Sequence, residues 1–412
     1  MSRRWMYSLV LLSFAVACSD SASSEGESTD DDLTHIPASG IKNQGETGNC
    51  WLYATSAWAE SLSSDPRTGA TKDFSTAYLA YWNFYEQIRD ADASFRGVDW
   101  TGGSWGAASD LVMRYGLVEL EAFTGEHAED ADAKLAVNAM KTINLSLRKG
   151  ALRTKAARKD GALVRRELDR AWMVRPSLAA ELTATFGLDG KTTFATGATT
   201  RADGAVIDPR KLSVTAVRAG ATPATSTLDQ LIGRAKDESD VDQRVGAFAW
   251  SGVDAPKRPS DPKKVVRAYL KRAQQALHQG VPVPFSWCAV DDGADDRGRY
   301  VNGLTGTVDE CEHETLLTDY EVRLADGTVL KADTDATDAQ KAAALADDAE
   351  ILFLRVKNSW GSDESNPKPG YTDLYMSYLM SRVRSCPEKN ERSEDCTDWP
   401  YMFDDMTLPP GF

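Results

Sequence analysis

The chain reads as an α+β protein of two lobes, with helices in its first half and strands in its last third. Three observations carry this reading. Leu52, Ala54, Trp58 and Leu62 recur at helical spacing behind Gly48, and two more helical stretches follow within sixty residues. From Val281 the pattern changes to short apolar runs separated by turn residues, which is strand behaviour. Asp326-Gly327 between two such runs is a hairpin signal, because Gly tolerates positive φ. A helical lobe followed by an antiparallel β lobe satisfies all three.

Taken in order, Gly48 to Leu62 is a loop entering a helix, and Ser75 to Ile88 is a second helix rich in aromatic residues. Gly102-Gly103 breaks the chain before a third, Trp105 to Tyr115, which Gly116 stops. Asp130 to Phe186 is helical and highly charged, a helical hairpin broken near Lys159 to Gly161. Residues 187–225, rich in Gly, Thr and Ala, read as loop with short strands. A helix from Lys263 to His278 ends at Gly280 and leads into the strand Val281 to Trp287. Thr315 to Leu324 and Thr328 to Lys331 form the hairpin, and Ile351 to Val356 is a further strand.

With 412 residues, 42% of them hydrophobic and eleven of them Trp, the chain has material for a large packed core. Its formal charge of −15 repels phosphate backbones and anionic headgroups, so nucleic acid is not an expected partner. Arg3 and Arg4 precede an apolar run from Trp5 to Ala17 that is too short to span a bilayer and has the form of a signal segment over residues 1–17. Cys18 follows at once, as in the lipobox of bacterial lipoproteins, although Ala15 stands where that motif usually has Leu. Residues 18–40 form an acidic, Ser-rich tether. The expected location is the bacterial cell envelope, facing the periplasm or the surface and lipid-anchored through Cys18, with free secretion as the alternative. Export permits disulfides. Apart from Cys18 and Cys50, four cysteines remain, and their three pairings are not separable by sequence; chain proximity favours Cys288 with Cys311 and Cys386 with Cys396.

The chemistry concentrates in Lys42-Asn43-Gln44-Gly45-Glu46-Thr47-Gly48-Asn49-Cys50-Trp51. A thiol at a helix N-terminus gains from the helix dipole and the free amides, so its pKa is expected to fall. Gln44 can fold back across the glycine loop and set its side-chain N–H beside the Cys50 amide as an oxyanion hole. An inert buried cysteine would leave Gln44 and the glycines without a purpose.

On these residues the sequence resembles the papain superfamily, with Thr47 where the family signature has its first cysteine. Glu312-His313 opens an apolar strand as the family's base does, though Glu314 follows where a small residue is usual. Val356-Lys357-Asn358-Ser359-Trp360-Gly361 matches the orienting-Asn motif. The resemblance therefore implies Cys50 as nucleophile, His313 as base, Asn358 as its orienter, Gln44 as oxyanion donor, Trp360 shielding the Asn358 to His313 bond, and Gly102-Gly103 binding an extended substrate strand. Gly370-Tyr371 matches the closing strand. The separation of Cys50 from His313, 263 residues, exceeds the roughly 130 to 150 of papain itself, which implies one peptidase domain over 41–412 with a helical and irregular insertion at about 127–260. Phe74-Ser75, Tyr81-Trp82, Gly102-Gly103-Ser104-Trp105 and Arg114-Tyr115-Gly116-Leu117-Val118 are similar to the bleomycin-hydrolase branch. That likeness implies a tail returning to the cleft and aminopeptidase behaviour, and because the branch includes ring-shaped hexamers it leaves a homo-oligomer open.

The expected activity is hydrolysis of peptide or protein substrates through an acyl-enzyme, with no metal and no cofactor. A catalytically silent papain-fold envelope lipoprotein that binds peptides or a partner is the competing reading. Gly102-Gly103-Ser104-Trp105-Gly106 fits a serine nucleophile elbow but lacks the preceding buried strand. His313-Glu314 begins a zinc motif, yet Leu317 replaces its second His. Gly190-Lys191-Thr192 lacks the first glycine of a phosphate loop. Asp291 to Asp296 lacks the ligand alternation of a calcium loop. His35, His127 and His278 read as surface or helix-cap residues.

Overall fold

A computed structural model of the chain describes residues 33–34, 36–37, 39–64, 70–92, 95, 97–100, 103–125, 130–216, 224–232, 248–251, 262–290, 293–308, 313–362, 366, 368–385, 397–399 and 401–408. Cys18, His35, Gly102, His127, Cys311, Cys386 and Cys396 lie outside the described residues.

Helix α1 (Cys50–Leu62) is buried along almost its whole length, because it packs between two other helices and the main sheet. Those helices are α2 (Thr76–Asp90) and α3 (Trp105–Tyr115), capped by the Ser75 and Ser104 hydroxyls, which accept from Tyr78 N and Ala107 N. Ser104 is thus a helix cap and sits on no nucleophile elbow. Gly116 ends α3 with φ 73°, and a side chain there would meet the Ile207 carbonyl at 2.3 Å.

After β1 (Leu117–Val118) and α4 (Leu120–Thr124) come α5 (Ala131–Lys149), α6 (Lys155–Lys159), α7 (Gly161–Ala171) and α8 (Pro176–Phe186). The expected hairpin is therefore four helices. Gly150 closes α5 and Pro176 opens α8, in addition to the break near Lys159. These helices pack against the first three: Trp82 stacks on Tyr115 at 3.8 Å, with Phe186 edge-on to both. Arg165 on α7, buried beside the Trp82 ring, donates to the Tyr81 hydroxyl at 2.7 Å.

The chain continues through β2 (Val206–Ile207), which pairs with β1, and the hairpin β3 (Ser213–Ala216) and β4 (Ala224–Thr227). Next come α9 (Leu228–Ile232), β5 (Phe248–Ser251) and α10 (Pro262–Leu277). The β lobe comprises β6 (Val283–Trp287), β7 (Thr305–Val308), β8 (His313–Arg323), β9 (Val329–Leu330), α11 (Asp338–Ala344), β10 (Glu350–Lys357), β11 (Tyr371–Tyr375), α12 (Met376–Leu379), β12 (Arg382–Ser385), β13 (Thr397–Trp399) and β14 (Phe403–Leu408). Among the described residues the main sheet runs β11-β10-β8-β6-β14-β5, with β9 folded back on β8. A smaller sheet runs β13-β12-β7. The expected hairpin is present, and Gly327 at its turn has φ 88°.

One sequence expectation is corrected here. His278 is half-buried, stacked on Tyr320 with its Nε2 2.6 Å from the hydroxyl, and burial pulls its pKa down to about 4. The expected return of the tail to the cleft concerns its last residues, and 409–412 lie outside the described residues. Phe403 pairs with Trp287 beside His313, and the antiparallel strand then leads away to Leu408, which pairs with Phe248.

Candidate active site

Three separate elements bring the site together at one end of the main sheet. Cys50 is the first residue of α1, His313 the first of β8, and Asn358 the first residue after β10. Pairing of β10 with both β8 and β11 fixes where Asn358 emerges. His313 and Asn358 are both buried, at 6% and 5% exposure.

The hydrogen bonds around Asn358 determine its orientation. Its Nδ2 donates to the Thr372 hydroxyl at 3.0 Å, while its Oδ1 accepts from the Ser359 amide at 2.8 Å. Oδ1 is therefore the atom facing His313 Nε2, 2.8 Å away, and only an Nε2–H tautomer can donate to it. That leaves Nδ1 as the basic nitrogen. Trp360 stacks on the imidazole at 4.6 Å and 19° between planes, and Trp287 meets it edge-on, so apolar rings cover the His313 to Asn358 contact.

The Glu314 amide donates to the Cys50 sulfur at 3.5 Å, which places the thiol beside the start of β8. Burial pushes the Cys50 thiol up to about 11; amide contacts from Glu314, Trp51 and Cys50 pull it down, and the Glu314 carboxylate pushes it further up. The expected lowering by the helix terminus is thus outweighed by desolvation. Burial also lowers His313 to about 4, against the hydrogen bond to Asn358. In both groups burial favours the neutral form.

Gln44 is buried and held at both ends. Its Oε1 accepts from the Ser359 hydroxyl, its Nε2 donates to Thr47 O at 2.6 Å, and its backbone N donates to Ser359 O at 2.7 Å. One side-chain N–H is spent on Thr47, and the same nitrogen carries a second donor. The Asn43 to Trp360 bridge and the Gly361 to Lys42 hydrogen bond join this loop to the Asn358 segment. Gly103 lies against Trp51, where a built Cβ would stand 1.8 Å from the indole, so only glycine fits.

Sequence reasoning did not single out Thr372, Trp287 or the buried ions below the site. Lys42 Nζ contacts Glu60 at 2.5 Å and Asp73 at 2.9 Å, and donates to Phe74 O. Lys357 donates to Ser39 O and Gly40 O, and burial lowers it to about 8. Each lysine sits one or two residues from a candidate site residue, yet its partners are distant in sequence, so no local signal marks the cluster. Cys288 does not titrate as a free thiol, being disulfide-bonded.

By class, the proteins this chain is similar to are papain-like cysteine peptidases, including an aminopeptidase of that superfamily. In particular, 117 residues are 28% identical to aminopeptidase W of Lactobacillus delbrueckii subsp. lactis, covering 23% of this chain and 27% of that protein. The chain thus matches about a quarter of the length of this curated relative. Among solved structures, PepW of Lactobacillus rhamnosis is 13% identical over 92% of this chain and 82% of its own, with a TM-score of 0.43. A ragweed pollen cysteine protease in its proform is 15% identical over 91% and 62%, with a TM-score of 0.35. A Carica candamarcensis cysteine protease is 12% identical over 91% and 93%, with a TM-score of 0.30. No protein-family model matches the chain.

Proposed function

We propose that this chain is a cysteine peptidase in which Cys50, His313 and Asn358 perform peptide-bond hydrolysis through an acyl-enzyme. The observation that carries this reading is the 2.8 Å contact from His313 Nε2 to Asn358 Oδ1 beneath the Trp360 ring, with the Cys50 sulfur touching the amide next to His313. His313 Nδ1 takes the Cys50 proton as sulfur attacks the carbonyl carbon. The carbonyl oxygen becomes an oxyanion, for which the Cys50 amide and the second N–H of Gln44 are the donors. The imidazolium returns its proton to the leaving amine, the C–N bond breaks, and a thioester remains. Water, deprotonated by His313, then releases the acid and regenerates the thiol.

The likeness to aminopeptidase W supports an N-terminal trimming version of this activity. Product analysis on a folded protein and on free-amine peptides separates this mode from internal cleavage. Export with a lipid anchor at Cys18 stays a proposal of the same kind, decided by mass analysis of the mature N-terminus. The silent-lipoprotein alternative finds no support in a site that retains nucleophile, base, orienter and oxyanion donor together. The decisive experiment is turnover of an acylated and of a free-amine dipeptide aryl amide by the purified mature protein and by Cys50→Ala. Hydrolysis lost in Cys50→Ala is expected. Equal activity in both proteins, or none in either, removes the proposal.

A further inference from the structure

Residues 97–100 lead toward Gly103, and two side chains from different helices hold their backbone. Asn144 on α5 takes both polar groups of Val98: its Oδ1 accepts from the Val98 amide at 2.8 Å and its Nδ2 donates to the Val98 carbonyl at 2.9 Å. Gln87 on α2 does the same for the next residue, accepting from the Asp99 amide at 3.1 Å and donating to the Asp99 carbonyl at 3.0 Å. A carboxamide offers an acceptor and a donor side by side, as a peptide group does. In extended backbone the N–H and C=O of one residue point the same way, and those of the next residue point the opposite way. The two amides therefore stand where neighbouring strands would, one on each edge.

The fit is close. Asn144 is half-buried, and a Cβ built on Gly97 would stand 2.4 Å from its Oδ1. Trp100 ends the stretch with its ring 4.9 Å from that of Phe84 on α2. The held residues back onto the loop of the nucleophile. A Cβ built on Gly48 would lie 3.6 Å from that of Trp100, and Gly103 is pressed on the Trp51 indole. Gly48 and Trp51 flank Cys50 in the chain, so this segment borders the thiol on the helical side and brings the partly exposed backbone of Gly103 next to it.

We propose that Asn144 and Gln87 are positioning residues for substrate binding. They fix residues 97–100, and through them Gly103, as a main-chain edge on which an extended peptide lies with its scissile carbonyl at Cys50. An edge ordered before the substrate arrives loses no conformational freedom on binding, so the affinity for main chain is retained. The inference rests on the cysteine-peptidase reading and deepens it: α5 acts in substrate recognition, and the substrates are extended peptides read through their backbone.

The test uses the mature protein and quenched peptides lengthened one residue at a time on each side of the scissile bond, with kcat referred to active enzyme by titration of Cys50 with iodoacetamide. In the wild type KM should fall as residues are added on the side that meets Gly103. Asn144→Ala removes both hydrogen bonds to Val98 and should raise KM for the longest peptide by about ten-fold, with kcat within about two-fold. Asn144→Asp keeps the shape and the acceptor for the Val98 amide but turns a carboxylate toward the Val98 carbonyl, and should shift KM in the same direction. Gln87→Ala should do so by a smaller factor, because its hydrogen bonds are longer and Asp99 is exposed. Amide exchange at Val98 and Asp99 should quicken in the corresponding variants. If Asn144→Ala fails to fold, Asn144→Asp and Gln87→Ala carry the same comparison. A role confined to folding would lower the melting temperature and leave KM and its dependence on length untouched. That result overturns the proposal while the wild type still turns over the peptides, whereas a wild type that cleaves none of the series removes the peptidase reading with it.

Discussion

Replacing Asn358 by Asp keeps an oxygen opposite His313 Nε2 and exchanges a neutral acceptor for a charged one. The wild-type geometry gives the starting point: a 2.8 Å contact, a buried imidazole, and a His313 pKa pulled down to about 4 by burial. A carboxylate within hydrogen-bond distance favours the imidazolium and raises such a pKa by roughly one to three units. Since His313 must be neutral to take the Cys50 proton, activity rises with pH through this ionisation. The acid limb of kcat/KM should therefore move from about 4 in the wild type to between roughly 5 and 7 in Asn358→Asp. Asn358→Ala tests the orienting role separately. It removes the acceptor when the imidazole becomes charged, at a cost of about 1.5 to 3 kcal/mol, or about ten- to hundred-fold in kcat. KM should change little, because the lost contact does not touch substrate. Initial rates on an aryl amide between pH 3.5 and 8, with thermal melts to confirm folding, provide the readout. An unmoved acid limb in Asn358→Asp, together with full activity in Asn358→Ala, would refute the assignment of Asn358 to the imidazole.

Other expectations follow from the same geometry. Iodoacetamide labelling of Cys50 should climb with pH from 7 toward 10, because burial pushes the thiol up to about 11, and His313→Ala should slow it; a fast, flat rate from pH 5 to 8 would mean that the thiolate forms despite desolvation. Glu60→Gln removes the buried partner of Lys42 and should cost about 3 to 5 kcal/mol in urea melts; an unchanged midpoint contradicts a structural role for the cluster. His278 and His313 are both lowered by burial to about 4, so unfolding is proton-linked: the melting temperature should hold above about pH 6.5, the unfolded-state value, and fall as pH drops toward 4. Non-reducing peptide maps should place Cys288 in a disulfide, with Cys311 the partner proposed from chain proximity, and a free Cys288 thiol would reject the bond.

What could be read in advance was whatever a short window encodes. The start of α1 is marked by Gly48 and Asn49, the end of α3 by Gly116, and the turn between β8 and β9 by Asp326-Gly327, and each falls where expected. Cys50, His313 and Asn358 were legible because each lies at the boundary of an element, where the residue pattern changes. Long-range partners were not legible. His278 reads as an exposed helix end until Tyr320, 42 residues on, is placed against it. Gln44 could be placed near Cys50, but not its anchorage to Ser359, 315 residues away. The break at Lys159 is marked by Gly161, whereas Gly150 and Pro176 divide a charged stretch whose helical pattern continues on either side, so four helices read as one hairpin.

The placement of β14 bears on how the polypeptide acquires its shape. It is the latest described strand in chain order, yet it lies inside the main sheet between β6 and β5. Until it arrives, β6 has an open hydrogen-bonding edge one strand from His313, a surface that invites pairing with other chains. The β lobe therefore cannot close around a ribosome-bound chain, and contacts of such sequence separation form slowly. The sheet that carries His313 and leads to Asn358 is complete only when residues as far as 408 are free.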